Sequence, residues 1–233
     1  MAQSISIILP TLNEEQNIVG MIKQLNAEAK PLEIIVVDDD SKDRTRELAS
    51  KAAKNVKVIR RTKEKGVASA IRTGLDASKG EIVAWMDADL SMPPKTLGEM
   101  ISKITSGSCD VCVGSRYAGK GKDDRSLSRV VTSALLNSFA QLVLNCGVKD
   151  LDSGFVASRK KVLEKVSFDA SGHGEYCIEF VYKAVKKGFR VKEAPYIFRE
   201  REFGDSKTAA NFLSLPFHGF KYCWRIIKIR FSG

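Results

Sequence analysis

Four short apolar runs, at residues 5–9, 33–37, 56–60 and 81–86, alternate with stretches whose apolar residues recur at helical spacing, at 14–29, 44–53 and 68–77. Runs this short suit buried strands rather than helices. Strands that alternate with helices must cross over between layers, and the crossovers make neighbouring strands parallel. The first half is thereby confined to an α/β fold: a Rossmann-like, mostly parallel central sheet with helices on both faces. After Asp89 the rhythm changes. A helix is predicted over 94–105, a strand over 111–114, a loop rich in glycine and charge over 119–124 and a long apolar helix over 127–144. A loop at 150–154, a helix at 175–187 and a strand at 190–194 follow. No composition break or internal repeat interrupts the chain, which divides into one domain over 1–210 and a C-terminal amphipathic helix over 211–233.

Open α/β sheets bind ligands at the carboxyl ends of their strands. The residues that follow each apolar run therefore matter most. Asp87-Ala88-Asp89 follows the run Ile82-Val83-Ala84-Trp85-Met86, and Ser91-Met92-Pro93-Pro94 reads as the turn that stops it. Burying two carboxylates together without a cation is costly. A hard divalent cation that also takes oxygens from a substrate diphosphate would satisfy both. Pro10-Thr11-Leu12-Asn13-Glu14 follows the first strand and is a ligand loop by position, with Asn13 reading as a helix cap. Asp38-Asp39-Asp40-Ser41 follows the second strand, and the repulsion among its carboxylates needs compensation. One of the three is expected to cap the next helix, another to accept hydrogen bonds from a base or ribose.

The formal net charge of +10 predicts an anionic partner. Aromatic residues are few and no nucleic-acid motif is present, which favours an anionic membrane surface or a phosphorylated substrate over nucleic acid. Five cysteines, an odd number, argue against a secreted disulfide scaffold. Cys109 and Cys112 have metal-site spacing but no second pair, and they read as residues of a buried strand in a reducing compartment. No leader pattern precedes the first strand, and no uninterrupted apolar stretch is long enough to span a bilayer, so any membrane contact is expected to be peripheral. Near the C-terminus, Leu213, Phe217, Phe220, Trp224, Ile227 and Phe231 share one helical face beside His218, Lys221, Arg225 and Lys228. Such a helix suits a membrane interface. Tyr222, Ile226 and Ile229 spread apolar character round it, which equally suits docking on the core. His173, Glu179, Lys120 and Lys122 read as loop, helix-surface and solvated residues.

In order along the chain stand Leu9-Pro10-Thr11-Leu12-Asn13-Glu14, Val37-Asp38-Asp39-Asp40-Ser41-Lys42-Asp43-Arg44-Thr45, Lys65-Gly66 and Asp87-Ala88-Asp89-Leu90-Ser91. Gly114-Ser115-Arg116-Tyr117, Asp152-Ser153-Gly154-Phe155 and Arg201-Glu202-Phe203-Gly204-Asp205-Ser206-Lys207 complete the series. This set resembles family 2 glycosyltransferases, and within them the dolichyl-phosphate mannose synthases, across nearly the whole chain. It departs from their pattern at Ser91 (often glutamine), Ala68 (often glycine) and Leu12 (often tyrosine).

The resemblance implies a glycosyltransferase-A-type fold and a set of roles. Pro10, Leu12, Glu14, Val37 and Asp39 would surround the nucleoside of the donor. Asp87 and Asp89, with Ala88 between them and Ser91 beside them, would hold Mg²⁺ or Mn²⁺ on its diphosphate. Arg116, Arg129 and Ser133 would grip the acceptor phosphate. Arg201 and Lys207 would close over the phosphates, so that Asp87, Asp89, Arg116 and Arg201 form the catalytic group. The implied reaction moves mannose from GDP-mannose to dolichyl or another polyprenyl phosphate at the cytoplasmic face of a membrane, with or without a separate membrane-anchor subunit. A UDP-sugar donor on the same fold and a non-catalytic lipid- or nucleotide-binding subunit are the other readings.

Overall fold

The computed structural model describes residues 3–170, 174–201, 203 and 215–231, with side chains in the final helix from Tyr222 onward. Strands β1 (Ile5–Thr11), β2 (Glu33–Asp38), β3 (Val56–Arg60) and β4 (Ile82–Trp85) alternate with helices α1 (Ile18–Ala29), α2 (Thr45–Ala52) and α3 (Val67–Ala77). Then follow α4 (Pro94–Thr105), β5 (Val111–Ser115), β6 (Lys122–Asp124), α5 (Leu127–Leu144), β7 (Val156–Arg159) and α6 (Lys160–Lys165). The chain closes with α7 (Glu175–Lys186), β8 (Val191–Pro195), β9 (Ile197–Arg199) and α8 (Leu215–Phe231).

The main sheet has seven strands in the order β3-β2-β1-β4-β7-β5-β8. All neighbours are parallel except β7, which runs antiparallel to both β4 and β5. Because side chains alternate across a strand, β1 sends Ile7 and Leu9 to one face and Ile8 to the other. Ile7 and Leu9 join Met21, Leu25, Leu97 and Met100 of α1 and α4 in one core layer. Ile8 joins Ile71 of α3, Phe180 of α7 and Ile226 and Ile229 of α8 in the second. The parallel half of the sheet is as the spacing predicts.

Three local expectations change. The first helix starts at Ile18 rather than at 14, because Asn13 takes φ 54° and its side chain accepts a hydrogen bond from the Lys42 amide instead of capping α1. The 119–124 loop contains β6, whose partner β9 pairs parallel to it in a separate two-stranded sheet. Strand β7 and helix α6 have no counterpart in the sequence reading. The final helix docks on the core through Ile226 and Ile229, while Trp224 and Phe231 stay exposed.

Candidate active site at the carboxyl edge of the sheet

Strand β4 delivers Asp87 and Asp89 to the carboxyl edge, and Leu90 (φ 62°) holds the turn in a left-handed conformation uncommon for leucine. Asp89 is fixed from two sides. Its Oδ1 accepts from the Ser91 amide at 3.1 Å and the Ser91 hydroxyl at 2.5 Å, and its Oδ2 lies 2.9 Å from Arg201 Nη2. Arg201 Nη1 is 3.7 Å from Glu14 Oε1. Burial pushes the Asp87 carboxyl up to about 7, the Asp89 and Glu14 charges add to the rise, and Arg201 and Arg125 oppose it. No hydrogen bond reaches Asp87 from the described residues.

This donor set fits a hard cation: two carboxylates one residue apart at a strand end, one of them raised in pKa by burial and by the charge of the other. No group of three acidic, thiol or imidazole side chains gathers into a ready metal cage among the described residues, so a cation held here would need further ligands such as water or a diphosphate. Ser91, expected beside the metal, donates its hydroxyl to Asp89, a contact that would orient the carboxylate if it held a cation.

The expected nucleoside loops lie side by side because β1 and β2 pair with Pro10 opposite Val37 and Thr11 opposite Asp38. Hydrogen bonds lock the two loops together. The Asn13, Glu14 and Glu15 amides donate to Ser41 Oγ, Thr45 Oγ1 and Asp43 Oδ2, at 2.9, 2.8 and 3.1 Å. Val37 is wholly buried in the core between β1 and β3, while Leu12 is half-buried.

Each of the three adjacent carboxylates has its own arginine: Asp38 with Arg46, Asp39 with Arg61 and Asp40 with Arg60. That is the compensation their repulsion requires. Asp40 sits well below the usual carboxylate range, held there by hydrogen bonds from Lys42 and Arg60. Helix α2 is capped by none of the three. Asp43 does this, accepting from the Thr45 amide at 3.0 Å. Asp39 accepts from Arg61 Nε and from the Gly66 amide, both at 2.7 Å, and so pins the loop that opens α3.

The expected acceptor-phosphate group is only partly brought together. Arg116 is 5% exposed and forks onto Asp150, with Nε to Oδ2 at 2.9 Å and Nη2 to Oδ1 at 2.7 Å. It lies over the Tyr117 and Phe198 rings. Its Nε and Nη2 are therefore held by Asp150, while Nη1 lies 3.8 Å from Asp123 Oδ2. Arg129, on the first turn of α5, pairs with Glu200 at 2.9 Å. Ser133, one turn further on, accepts from Arg125 Nη2 at 2.9 Å. Arg125, whose charge also reaches Asp87, has no counterpart in the sequence reading; it forks onto Asp123, with Nε to Oδ1 at 2.8 Å and Nη2 to Oδ2 at 2.7 Å. It sits in a charged loop without periodicity or motif. Lys207 and His173 lie outside the described residues. Glu179 is structural: it accepts from the Asp169 amide at 3.1 Å and pairs with Lys183 at 2.6 Å.

In the loop before β7, burial pushes the Asp152 carboxyl up to about 6, and Tyr222 of α8 donates its hydroxyl to Asp152 Oδ1 at 2.5 Å. The C-terminal helix is thus tied to the loop that precedes β7.

The sequence matches the profile of Glycosyl transferase family 2 over residues 6–167. The chain belongs to glycosyl transferase family 2. It is 36% identical over 231 residues to the dolichol-phosphate mannosyltransferase of Pyrococcus furiosus, covering 96% of this chain and 64% of that one. The chain therefore spans just under two thirds of that relative's length. It is 33% identical over 215 residues to the polyprenol monophosphomannose synthase of Mycolicibacterium smegmatis, covering 88% of this chain and 81% of that one. Among solved structures, glucosyl-3-phosphoglycerate synthase from Mycobacterium tuberculosis, in complex with Mn²⁺, UDP and glucosyl-3-phosphoglycerate, superposes with a TM-score of 0.72 at 19% identity. That match covers 98% of this chain and 80% of the other, and it establishes the glycosyltransferase fold for this family 2 member.

Proposed function

We propose that this glycosyltransferase moves mannose from GDP-mannose to dolichyl or another polyprenyl phosphate. The observation that carries the reading is the Asp87–Asp89 pair at the carboxyl edge of β4, with Arg201 held 2.9 Å from Asp89. The similarity to two polyprenyl-phosphate mannose enzymes supports mannose as the sugar and a polyprenyl phosphate as the acceptor. Asp87 and Asp89 would hold Mg²⁺ or Mn²⁺ against the donor diphosphate. The cation, when bound, stabilises the charge that grows on the departing nucleotide.

The remaining work falls to the protein's own groups. Loops 10–15 and 38–45, already locked together, would seat the nucleoside. Arg129, Arg125 and Ser133 would orient the acceptor phosphate, and Arg201 with Lys207 would cover the transferring group. No general base is required, because a phosphate monoester has its second pKa near ~6 and is already a nucleophilic anion at neutral pH. Alignment of that oxygen opposite the leaving diphosphate is what the site supplies. Displacement from the opposite face inverts the anomeric carbon, giving a β-linked product from an α-linked donor.

Sugar transfer to a polyprenyl phosphate, with GDP-mannose or UDP-glucose and with Mn²⁺ or chelator, tests the reading. Product from GDP-mannose that disappears in chelator is the expected result. Product from UDP-glucose alone would keep the mechanism and replace the donor. Binding of both substrates without any product would favour the non-catalytic alternative.

A polyprenyl acceptor has to be met at a bilayer, and helix α5, long and apolar enough to cross a membrane and mostly exposed, supports contact with one, which we place as peripheral attachment at the cytoplasmic face. Leu127, Val131, Leu135 and Leu142 are 78, 47, 67 and 81% exposed. At 3.6 residues per turn the four fall within about 80° of one another, one outward stripe on a helix that begins beside Arg129. Trp224 and Phe231 on the neighbouring α8 are also exposed. Deleting α8 would open the core, since Ile226 and Ile229 are buried; point substitutions are the cleaner test. Leu135→Glu and Leu142→Glu are each expected to lower binding to anionic vesicles roughly tenfold or more, given about 1.5–3 kcal/mol for burying a leucine. Unchanged co-sedimentation would remove α5 from the membrane surface. A separate anchor subunit remains compatible with this geometry.

A further inference from the structure

The segment that follows β9 crosses both ligand-facing groups with two consecutive side chains. The Arg199 amide donates to the Ser91 carbonyl at 3.3 Å, which sets the segment beside the Asp89 turn. Glu200 turns to α5. Its Oε1 accepts from the Ser126 amide at 3.0 Å and its Oε2 from Arg129 Nη1 at 2.9 Å. Arg201 turns to the metal pair, with Nη2 2.9 Å from Asp89 Oδ2 and Nη1 3.7 Å from Glu14 Oε1. Further on, the Phe203 carbonyl accepts from Asn17 Nδ2 at 3.4 Å.

The chemistry of the two contacts is complementary. A carboxylate at the amino end of a helix, gripped by an adjacent arginine, uses the donors that a phosphate monoester would use. A guanidinium between two carboxylates supplies the positive charge that a divalent cation would supply. We infer that Glu200 and Arg201 form a paired internal ligand, Glu200 in the place of the acceptor phosphate and Arg201 in the place of the cation, so that displacing either releases the other. The inference rests on the metal and acceptor assignment proposed above and adds to it a reason for the two substrates to bind cooperatively.

Covalent adjacency does the coupling. When the donor brings its cation to Asp89, Arg201 is drawn off onto the phosphates, and Glu200 cannot keep its place on Ser126 and Arg129. The acceptor subsite opens only then. Before the donor arrives, a phosphate monoester has to compete with a carboxylate already in position. The contacts are weak enough to yield, since the Arg129 and Glu200 side chains are 31 and 45% exposed and an ion pair this open contributes little. By linkage, the acceptor must tighten the donor by the same factor that the donor tightens the acceptor.

Glu200→Gln tests this, because it removes the charge and nothing buried. Mn²⁺ with GDP, Mn²⁺ with UDP, and farnesyl phosphate are titrated by calorimetry into the wild-type protein and the variant, each shown folded by its thermal melt. The Mn²⁺–nucleotide complex is expected to bind the variant roughly three- to tenfold more tightly. Farnesyl phosphate alone is expected to gain by a similar factor. In the wild-type protein the Mn²⁺–nucleotide complex should tighten farnesyl phosphate, and in Glu200→Gln that enhancement should shrink towards none. Equal or weaker Mn²⁺–nucleotide binding in the variant overturns the inference, whatever the acceptor proves to be. Farnesyl phosphate that binds neither protein would overturn the acceptor assignment, and the Mn²⁺–nucleotide titration would still decide the role of Glu200.

Discussion

Asp89→Asn is expected to fold normally and to lose roughly three orders of magnitude in turnover, the loss that follows from removing about 4 kcal/mol of charge stabilisation at the leaving group. The amide keeps the shape of the carboxylate, and its oxygen can still accept from the Ser91 amide and hydroxyl. What disappears is the negative charge at the point where the proposed cation would be held. Calorimetric titration with Mn²⁺ should show the metal affinity lost along with the rate. Ser91→Ala should cost only about 10–100-fold, the usual penalty for a group that orients a metal ligand without touching the metal. Full activity in Asp89→Asn would remove the cation from this site. An equal loss in both variants would promote Ser91 to a ligand.

Asp150→Ala should unfold the protein far more readily, with little to do with substrate. Asp150 is wholly buried and Arg116 nearly so, and the next carboxylate, Asp123, is 3.8 Å from the guanidinium. Removing the partner of a buried charge costs about 3–5 kcal/mol. For a chain of this length that is a fall in Tm of roughly 6–20 °C. The Arg116 amide also loses its acceptor, Asp150 Oδ2 at 2.8 Å. A double variant, Arg116→Met with Asp150→Leu, should recover much of the loss, because an apolar pair of similar volume avoids desolvating two ions. Thermal melts of the two single variants and the double one close the cycle. A stable Asp150→Ala protein would mean that Arg116 finds another partner and is available to ligands after all.

How far the sequence reaches can be judged from those residues. Strands β1 to β4 and their helices were legible because each is a local pattern, an apolar run followed by helical spacing, and the ligand edge then followed from topology. Asp87 and Asp89 were legible for the same reason: they stand at the end of a run. Strand β7 was not, since Val156-Ala157-Ser158-Arg159 is too short and too mixed to announce itself, and its pairing comes wholly from distant segments. Strands β6 and β9 are three residues each, and β6 is entirely charged. The assignment of Arg116 to a phosphate failed to anticipate Asp150, which lies 34 positions away and whose partnership only the folded chain creates. Arg125 and Glu200 carried no signal at all. Each acquires meaning from a neighbour that the fold, not the sequence, supplies.

The direction of one four-residue strand decides which charges reach the floor of the site. Strand β7 fills the gap between β4 and β5, an interval of roughly 9.6 Å at ~4.8 Å per strand. Because it runs against them, its beginning meets their ends: Val156 pairs with Trp85 and with Val113. The segment delivered to the ligand edge is therefore the one before β7, with Asp150, Asp152 and Ser153. Had the strand run the other way, Arg159, Lys160 and Lys161 would have arrived there instead. That would put a third cationic group in a crevice already furnished with Arg125 and Arg201, and no anchor for Arg116. Strand polarity, a property usually discussed as topology, here sets the electrical sign of the floor of the proposed substrate site.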